Sequence, residues 1–212
     1  GNSNTASGSS STISGGNSNA ASGQNSTIGG GISNNASAIS TTIGGGNTNS
    51  VAATHGTVSG GFSNAVTSAG NYATISGGND NTASGVNSVV GGGTVNNVSG
   101  LNAAIGGGTS NIASSNSATI AGGNSNAVSG NYGTISGGNN NTVTSTATYG
   151  TVSGGNNNIV SAQNATIPGG ANNTSSGNFS TVTGGSDNIA NAQYSTTSGG
   201  FSNTTSGVNG TI

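Results

Sequence analysis

The chain contains no Lys, no Arg, no Glu, no Cys, no Met and no Trp. Its only charged side chains are Asp80 and Asp187, and His55 is its only imidazole. Each gap excludes a class of function. Without Lys or Arg nothing neutralises phosphates, so nucleic acid is not expected as a partner, and neither is an anionic membrane surface. No apolar run approaches the ~20 residues of a membrane span, so membrane insertion is not expected. Without Cys there are no disulfides and no thiolate metal sites, and the redox compartment stays open. Catalysis lacks its parts, because the one His has no acid beside it in the sequence. A carboxylate pair for glycoside hydrolysis would have to join Asp80 and Asp187, 107 residues apart. No enzymatic activity, cofactor or metal is therefore expected. The chain begins with Gly1 and shows no signal segment, which suggests a processed protein or an excerpt of a longer one.

Hydrophobic residues are also scarce, at 28%. Disordered chains combine that scarcity with high net charge or many prolines. Here the formal charge is −2 and the only proline is Pro168. What is present instead is a strict period. The phrase Thr12-Ile13-Ser14-Gly15-Gly16 returns as Thr27-Ile28-Gly29-Gly30-Gly31 and as Thr134-Ile135-Ser136-Gly137-Gly138. Its apolar residue recurs at Ile13, Ile28, Ile43, Val58, Ile75, Val90, Ile105, Ile120, Ile135, Val152, Ile167 and Val182, then at Thr197 and Ile212. The interval is 15 residues, except for two of 17 that end at Ile75 and Val152. Internal repeats of this kind outrank local propensity in reading a fold.

With the apolar mark as position 1, positions 3 and 4 are Gly-Gly throughout. Position 7 is always Asn: Asn4, Asn19, Asn34, Asn49, Asn64, Asn81, Asn96, Asn111, Asn126, Asn141, Asn158, Asn173, Asn188 and Asn203. Position 9 is usually Ala or Val, with Ser175 and Thr205 as exceptions, and position 14 is always small. Position 15 is Thr at Thr12, Thr27, Thr42, Thr57, Thr74, Thr119, Thr134, Thr151, Thr166, Thr181, Thr196 and Thr211, and is broken by Val89 and Ala104.

Side chains alternate faces along a strand. Positions 14, 1, 7 and 9 then point inward, and 15, 2, 8 and 10 outward. Each unit becomes two short strands and two turns, the first made by Gly-Gly and the second by the frequent glycine at position 11. The density of Gly, Ser, Thr and Asn opposes helix. A unit this small buries its apolar residues only by stacking on its neighbours. The predicted fold is an all-β parallel solenoid: a two-sheet β-roll of about 14 coils, reading 1–212 as one uninterrupted array. The Asn column is expected to form an internal ladder. The two long coils carry their extra residues at the second turn, where they should bulge outward. These insertions lie 77 residues apart, which suggests a super-repeat within a longer array. Pro168 lacks a ladder donor and should disturb the pairing locally. The aromatic residues follow the period too: His55, Tyr72, Tyr132, Tyr149, Phe179 and Tyr194 fall at position 13, and Phe62 and Phe201 at position 5. They form either edge stacking or a contact stripe for self-assembly or for sugar rings. Ten Asn-x-Ser/Thr sequons occur, such as Asn25-Ser26-Thr27; glycosylation there is open.

The phrase Asn4-Thr5-Ala6-Ser7-Gly8, with Thr57-Val58-Ser59-Gly60-Gly61, resembles the head repeats of YadA-like trimeric autotransporter adhesins. Asn97-Val98-Ser99-Gly100 after Asn96, and Ala127-Val128-Ser129-Gly130 after Asn126, resemble the Asn-x-Val-x-Gly repeat of the ryegrass antifreeze family. Both resemblances imply a left-handed parallel β-roll. The 15-residue unit with Gly-Gly is longer than the adhesin repeat, and residues 1–212 contain no segment like an adhesin neck or stalk. The core of each coil is thin, so self-association is expected. The leading functional expectation is an extracellular structural protein, a fibre or adhesin-like rod whose partner is itself. The alternatives are an ice-binding solenoid that uses the threonine column, and a carbohydrate-binding surface that uses the position-13 aromatics.

Overall fold

A computed structural model describes residues 1–212. It is an all-β, parallel two-sheet solenoid with no helix. Two compact units are described in turn, Gly1–Gly108 and Thr109–Ile212. Every strand is two residues long, and there are two per coil. One sheet is built from positions 15 and 1, as in Thr12–Ile13, Thr27–Ile28 and Thr119–Ile120. The other is built from positions 8 and 9, as in Ala20–Ala21 and Ala127–Val128. Within each unit every strand pairs in parallel with its equivalent one coil away, and like positions are in register.

The core lies between the sheets. Ile28, Ile43, Val58, Ile75, Val90 and Ile105 in the first unit, and Ile120, Ile135, Val152, Ile167 and Val182 in the second, are fully buried. Ile13, in the first coil of its sheet, is half-buried. Opposite them position 9 is buried, as at Ala21, Val51, Val98 and Val128. Positions 9 and 14 of one coil share a fixed space. Every Val at position 9 meets Gly or Ala at 14: Val51 with Gly56, Val66 with Ala73, Val128 with Gly133, Val160 with Ala165. A Cβ added at Gly56 would lie 2.7 Å from Val51 Cγ1, and one at Gly133 2.7 Å from Val128 Cγ1. Where position 14 is Ser or Thr, as at Ser26, Thr41, Ser88 and Ser195, position 9 is Ala, except that Ser180 faces Ser175. Interiors at close-packed density enforce such compensation.

The two breaks in the apolar columns also pair. Ser175 at position 9 hydrogen-bonds Ser180 at position 14, 2.6 Å apart and both buried. Thr205 at position 9 meets Thr197 at position 1, at 2.8 Å. Each hydroxyl gives the other the partner that an apolar core would deny it.

The Asn column is satisfied almost entirely by backbone. Asn126 Nδ2 donates to the Gly122 carbonyl of its own coil (3.1 Å) and to the Gly138 carbonyl of the next (3.0 Å). Its Oδ1 accepts from the Asn141 backbone N–H at 2.9 Å. The same three bonds recur at Asn34, Asn141, Asn158, Asn173 and Asn188. The position-4 glycine belongs to this motif. Gly138 has φ +89, and a Cβ there would sit 2.2 Å from the Gly155 carbonyl oxygen and 2.6 Å from Asn141 Nδ2. No L side chain meets both conditions.

Three features differ from the two-strand, two-turn expectation. First, a third row of single bridges runs at position 5, through Asn17, Ile32, Asn47 and Phe62 in the first unit and Asn124, Asn139, Asn156 and Ala171 in the second. The chain therefore re-enters the ladder right after the Gly-Gly corner. Second, the left-handed residues of the remaining corners are not glycines. They are positions 6 and 13, with φ between 53 and 62, as at Ser18 and Asn25. Third, position 11 makes no left-handed turn. Gly23, Ala53, Gly85, Gly100 and Gly130 there are buried, and at Gly23 a Cβ would lie 1.9 Å from the Ala38 carbonyl oxygen. Its glycines answer to crowding from the neighbouring coil, not to positive φ.

The insertions behave as expected. Ser68 and Ala69 in one long coil, and Ser145 and Thr146 in the other, are exposed, while Gly70 and Ala147 return to the interior. The flanking registers continue across them, Val58 to Ile75 and Val143 to Val160. At Pro168 one rung is missing: Thr166 pairs with Thr181, but Ile167 does not pair with Val182. Equivalent coils use the position-2 N–H for this rung, as Ser153 does to Ile167, and proline has none.

Candidate functional site

Two outward features have the regularity of a binding surface. The first is the threonine column. In the first unit Thr12, Thr27, Thr42, Thr57 and Thr74 are direct cross-strand partners. Val89 and Ala104 follow in the same row. In the second unit Thr119, Thr134, Thr151, Thr166, Thr181, Thr196 and Thr211 form an unbroken row. Parallel pairing fixes their spacing at about 4.8 Å. All are exposed or half-buried, and none of their hydroxyls hydrogen-bonds within the chain. The neighbouring position 2 is exposed and small: Ala121, Ser136, Ser153, Pro168, Thr183 and Ser198 in the second unit. Beyond it the position-3 glycines, such as Gly122, Gly137, Gly154 and Gly169, face open space. The face formed by positions 15, 2 and 3 is thus built of small, uncharged residues on a backbone held by the sheet ladder.

The outward face of the other sheet differs. Position 8 of the second unit runs Ile112, Ala127, Thr142, Ile159, Thr174, Ile189 and Thr204, large and small in no order. Beside it the position-6 amides form a short external ladder, Asn140 to Asn157 at 2.6 Å and Asn157 to Asn172 at 3.2 Å. A shallow groove of about 440 Å³ lies between these amides and Thr142, Ile159 and Thr174.

The second feature is aromatic. The position-13 rings form three separate stacked pairs, not one stripe. His55 and Tyr72 have centroids 4.9 Å apart at 15°, Tyr132 and Tyr149 5.0 Å at 12°, and Phe179 and Tyr194 5.1 Å at 16°. Asn87 and Asn102 occupy the next two position-13 sites of the first unit, and Asn164 separates the pairs of the second. In each pair one face of each ring is covered by the other. Asp80 and Asp187 sit at position 6, and no group of three His, Cys, Asp or Glu side chains comes together. Sequence reasoning overlooked the external amide ladder; Asn at position 6 in Asn140, Asn157 and Asn172 was its visible signal. No protein-family model matches the chain, and no curated protein matches it in sequence.

Proposed function

We propose that this chain is a structural repeat protein that binds ice through its threonine ladder, and that it acts outside the cell. The observation that carries this reading is a row of seven in-register threonines whose hydroxyls have no partner within the chain. An ordered water lattice is a periodic ligand. A periodic face meets it with little loss of freedom, because the ladder has already fixed every spacing. The methyl and hydroxyl of each Thr supply an apolar surface and a hydrogen-bonding group at every step. No charged side chain interrupts the face. The reading is tested by thermal hysteresis and ice-recrystallisation inhibition. Thr151→Tyr with Thr166→Tyr should abolish activity by breaking the flatness, whereas Thr142→Tyr on the other sheet should leave it intact. Inactivity of the unmodified chain at high concentration, or equal losses from both sheets, would sink the reading.

A second reading, self-association into a fibre or adhesin-like assembly, is favoured by the exposed aromatics. They occupy left-handed backbone at position 13, where Asn and Ser fit more easily. Sedimentation and electron microscopy decide it: a strictly monomeric particle at high concentration removes it.

A further inference from the structure

The tyrosines have chemistry that neither reading uses. Cys, Met and Trp, the side chains that normally take up oxidising equivalents first, are all absent. The phenols of Tyr72, Tyr132, Tyr149 and Tyr194 are the oxidisable groups that remain, and each residue is at least half exposed, at 58%, 52%, 52% and 50%. Only one pair places two phenols side by side: Tyr132 and Tyr149, with ring centroids 5.0 Å apart. Tyr72 stacks on His55, and Tyr194 on Phe179. Tyr132 and Tyr149 lie on adjacent coils, joined at the backbone by the Tyr149 N–H bond to the Asn131 carbonyl at 2.9 Å. Their φ values of 58 and 61 are costly for bulky residues.

We propose that Tyr132 and Tyr149 form an oxidative cross-linking site, coupled to dityrosine by hydrogen peroxide acting through a haem peroxidase. Each phenol gives up one electron and one proton, and the peroxide is reduced to two waters. The two phenoxyl radicals join through the ring carbons ortho to their oxygens, forming one carbon–carbon bond. The two displaced ring protons move to the oxygens and restore both phenols. The rings turn from stacked to edge-to-edge, which their exposure allows. The product ties adjacent coils across the 17-residue interval that holds the Ser145–Thr146 bulge. In a chain with no cysteine it does what a disulfide does elsewhere, shortening the loops open to the unfolded chain.

The full-length chain treated with a haem peroxidase and hydrogen peroxide should give dityrosine fluorescence in the monomer band of a denaturing gel. Its intact mass should fall by two hydrogens, and its melting temperature should rise. Tyr132→Phe and Tyr149→Phe should each abolish all three changes, while Tyr72→Phe and Tyr194→Phe should leave them. Phe is already stacked at position 13 in Phe179, so these variants keep the fold. The proposal is overturned if fluorescence is absent, if it survives either substitution, or if it is confined to dimers and larger species.

Discussion

Two columns run through every coil with almost equal regularity, the asparagines of position 7 and the threonines of position 15. In the folded chain they are opposites. Asn126 is fully buried, and its amide donates two bonds and accepts one, all to backbone. Thr151, in the second unit as well, faces outward and its hydroxyl bonds nothing in the chain. Regularity in the first column is what stacking requires. Regularity in the second is not required by stacking, since Val89 and Ala104 occupy the same site with the ladder intact. A periodic residue that the fold can do without is the better guide to function.

The largest effect that would break this contrast belongs to the inner column. Asn126→Leu keeps the volume roughly but orphans the Gly122 carbonyl and the Asn141 N–H, and leaves the Gly138 carbonyl with only its bond from the Asn124 N–H. At about 1–3 kcal/mol for each of the two groups left without a partner, the expected loss is roughly 2–6 kcal/mol. A urea titration followed by circular dichroism measures it. A loss under ~1 kcal/mol would show the amide ladder to be ornamental.

Next comes the space shared by positions 9 and 14. Ser175→Val puts a larger side chain against Ser180 and removes that hydroxyl's partner. The expected cost is about 1–3 kcal/mol. Adding Ser180→Gly recreates the Val–Gly pairing of Val128 with Gly133 and should recover most of it. Failure of the second substitution to rescue the first would mean that the compensation seen along the chain is coincidental.

These cases mark what was legible in the sequence. Period and inward–outward alternation follow from Ile, Asn and Thr standing at fixed offsets, and they suffice for the two sheets, the Asn ladder, the outward bulges and the lost rung at Pro168. The third row of bridges was not legible, because position 5, though often Asn, also holds Ile, Phe, Thr, Ala and Ser and shows no apolar or β-branched pattern. A single backbone bridge asks nothing of its side chain. The left-handed corners were half legible. Ser, Asn and Asp at positions 6 and 13 are residues that tolerate that backbone. Tyr72, Tyr132, His55 and Val95 at the same positions concealed the signal, since bulky and β-branched residues seldom adopt it. The pairing of Ser175 with Ser180 and Thr197 with Thr205 is visible only once the coil closes and brings those residues together.

The smallest effect is the most discriminating. Thr151→Val replaces an outward hydroxyl by a methyl and keeps a β-branched strand residue, so stability should change by no more than about 0.5 kcal/mol. Val89, paired directly with Thr74 in the first unit, shows that the sheet accepts this side chain. If the ladder works through hydroxyls ordered against a water lattice, replacing Thr134, Thr151 and Thr166 together by Val should lower ice-recrystallisation inhibition while the urea midpoint barely moves. If flatness and methyl groups carry the interaction, the triple Val variant retains activity, and the corresponding Tyr variants, which break the plane, lose it. If the Val variants unfold as readily as Asn126→Leu, the threonines support the fold after all, and the distinction between the two columns collapses.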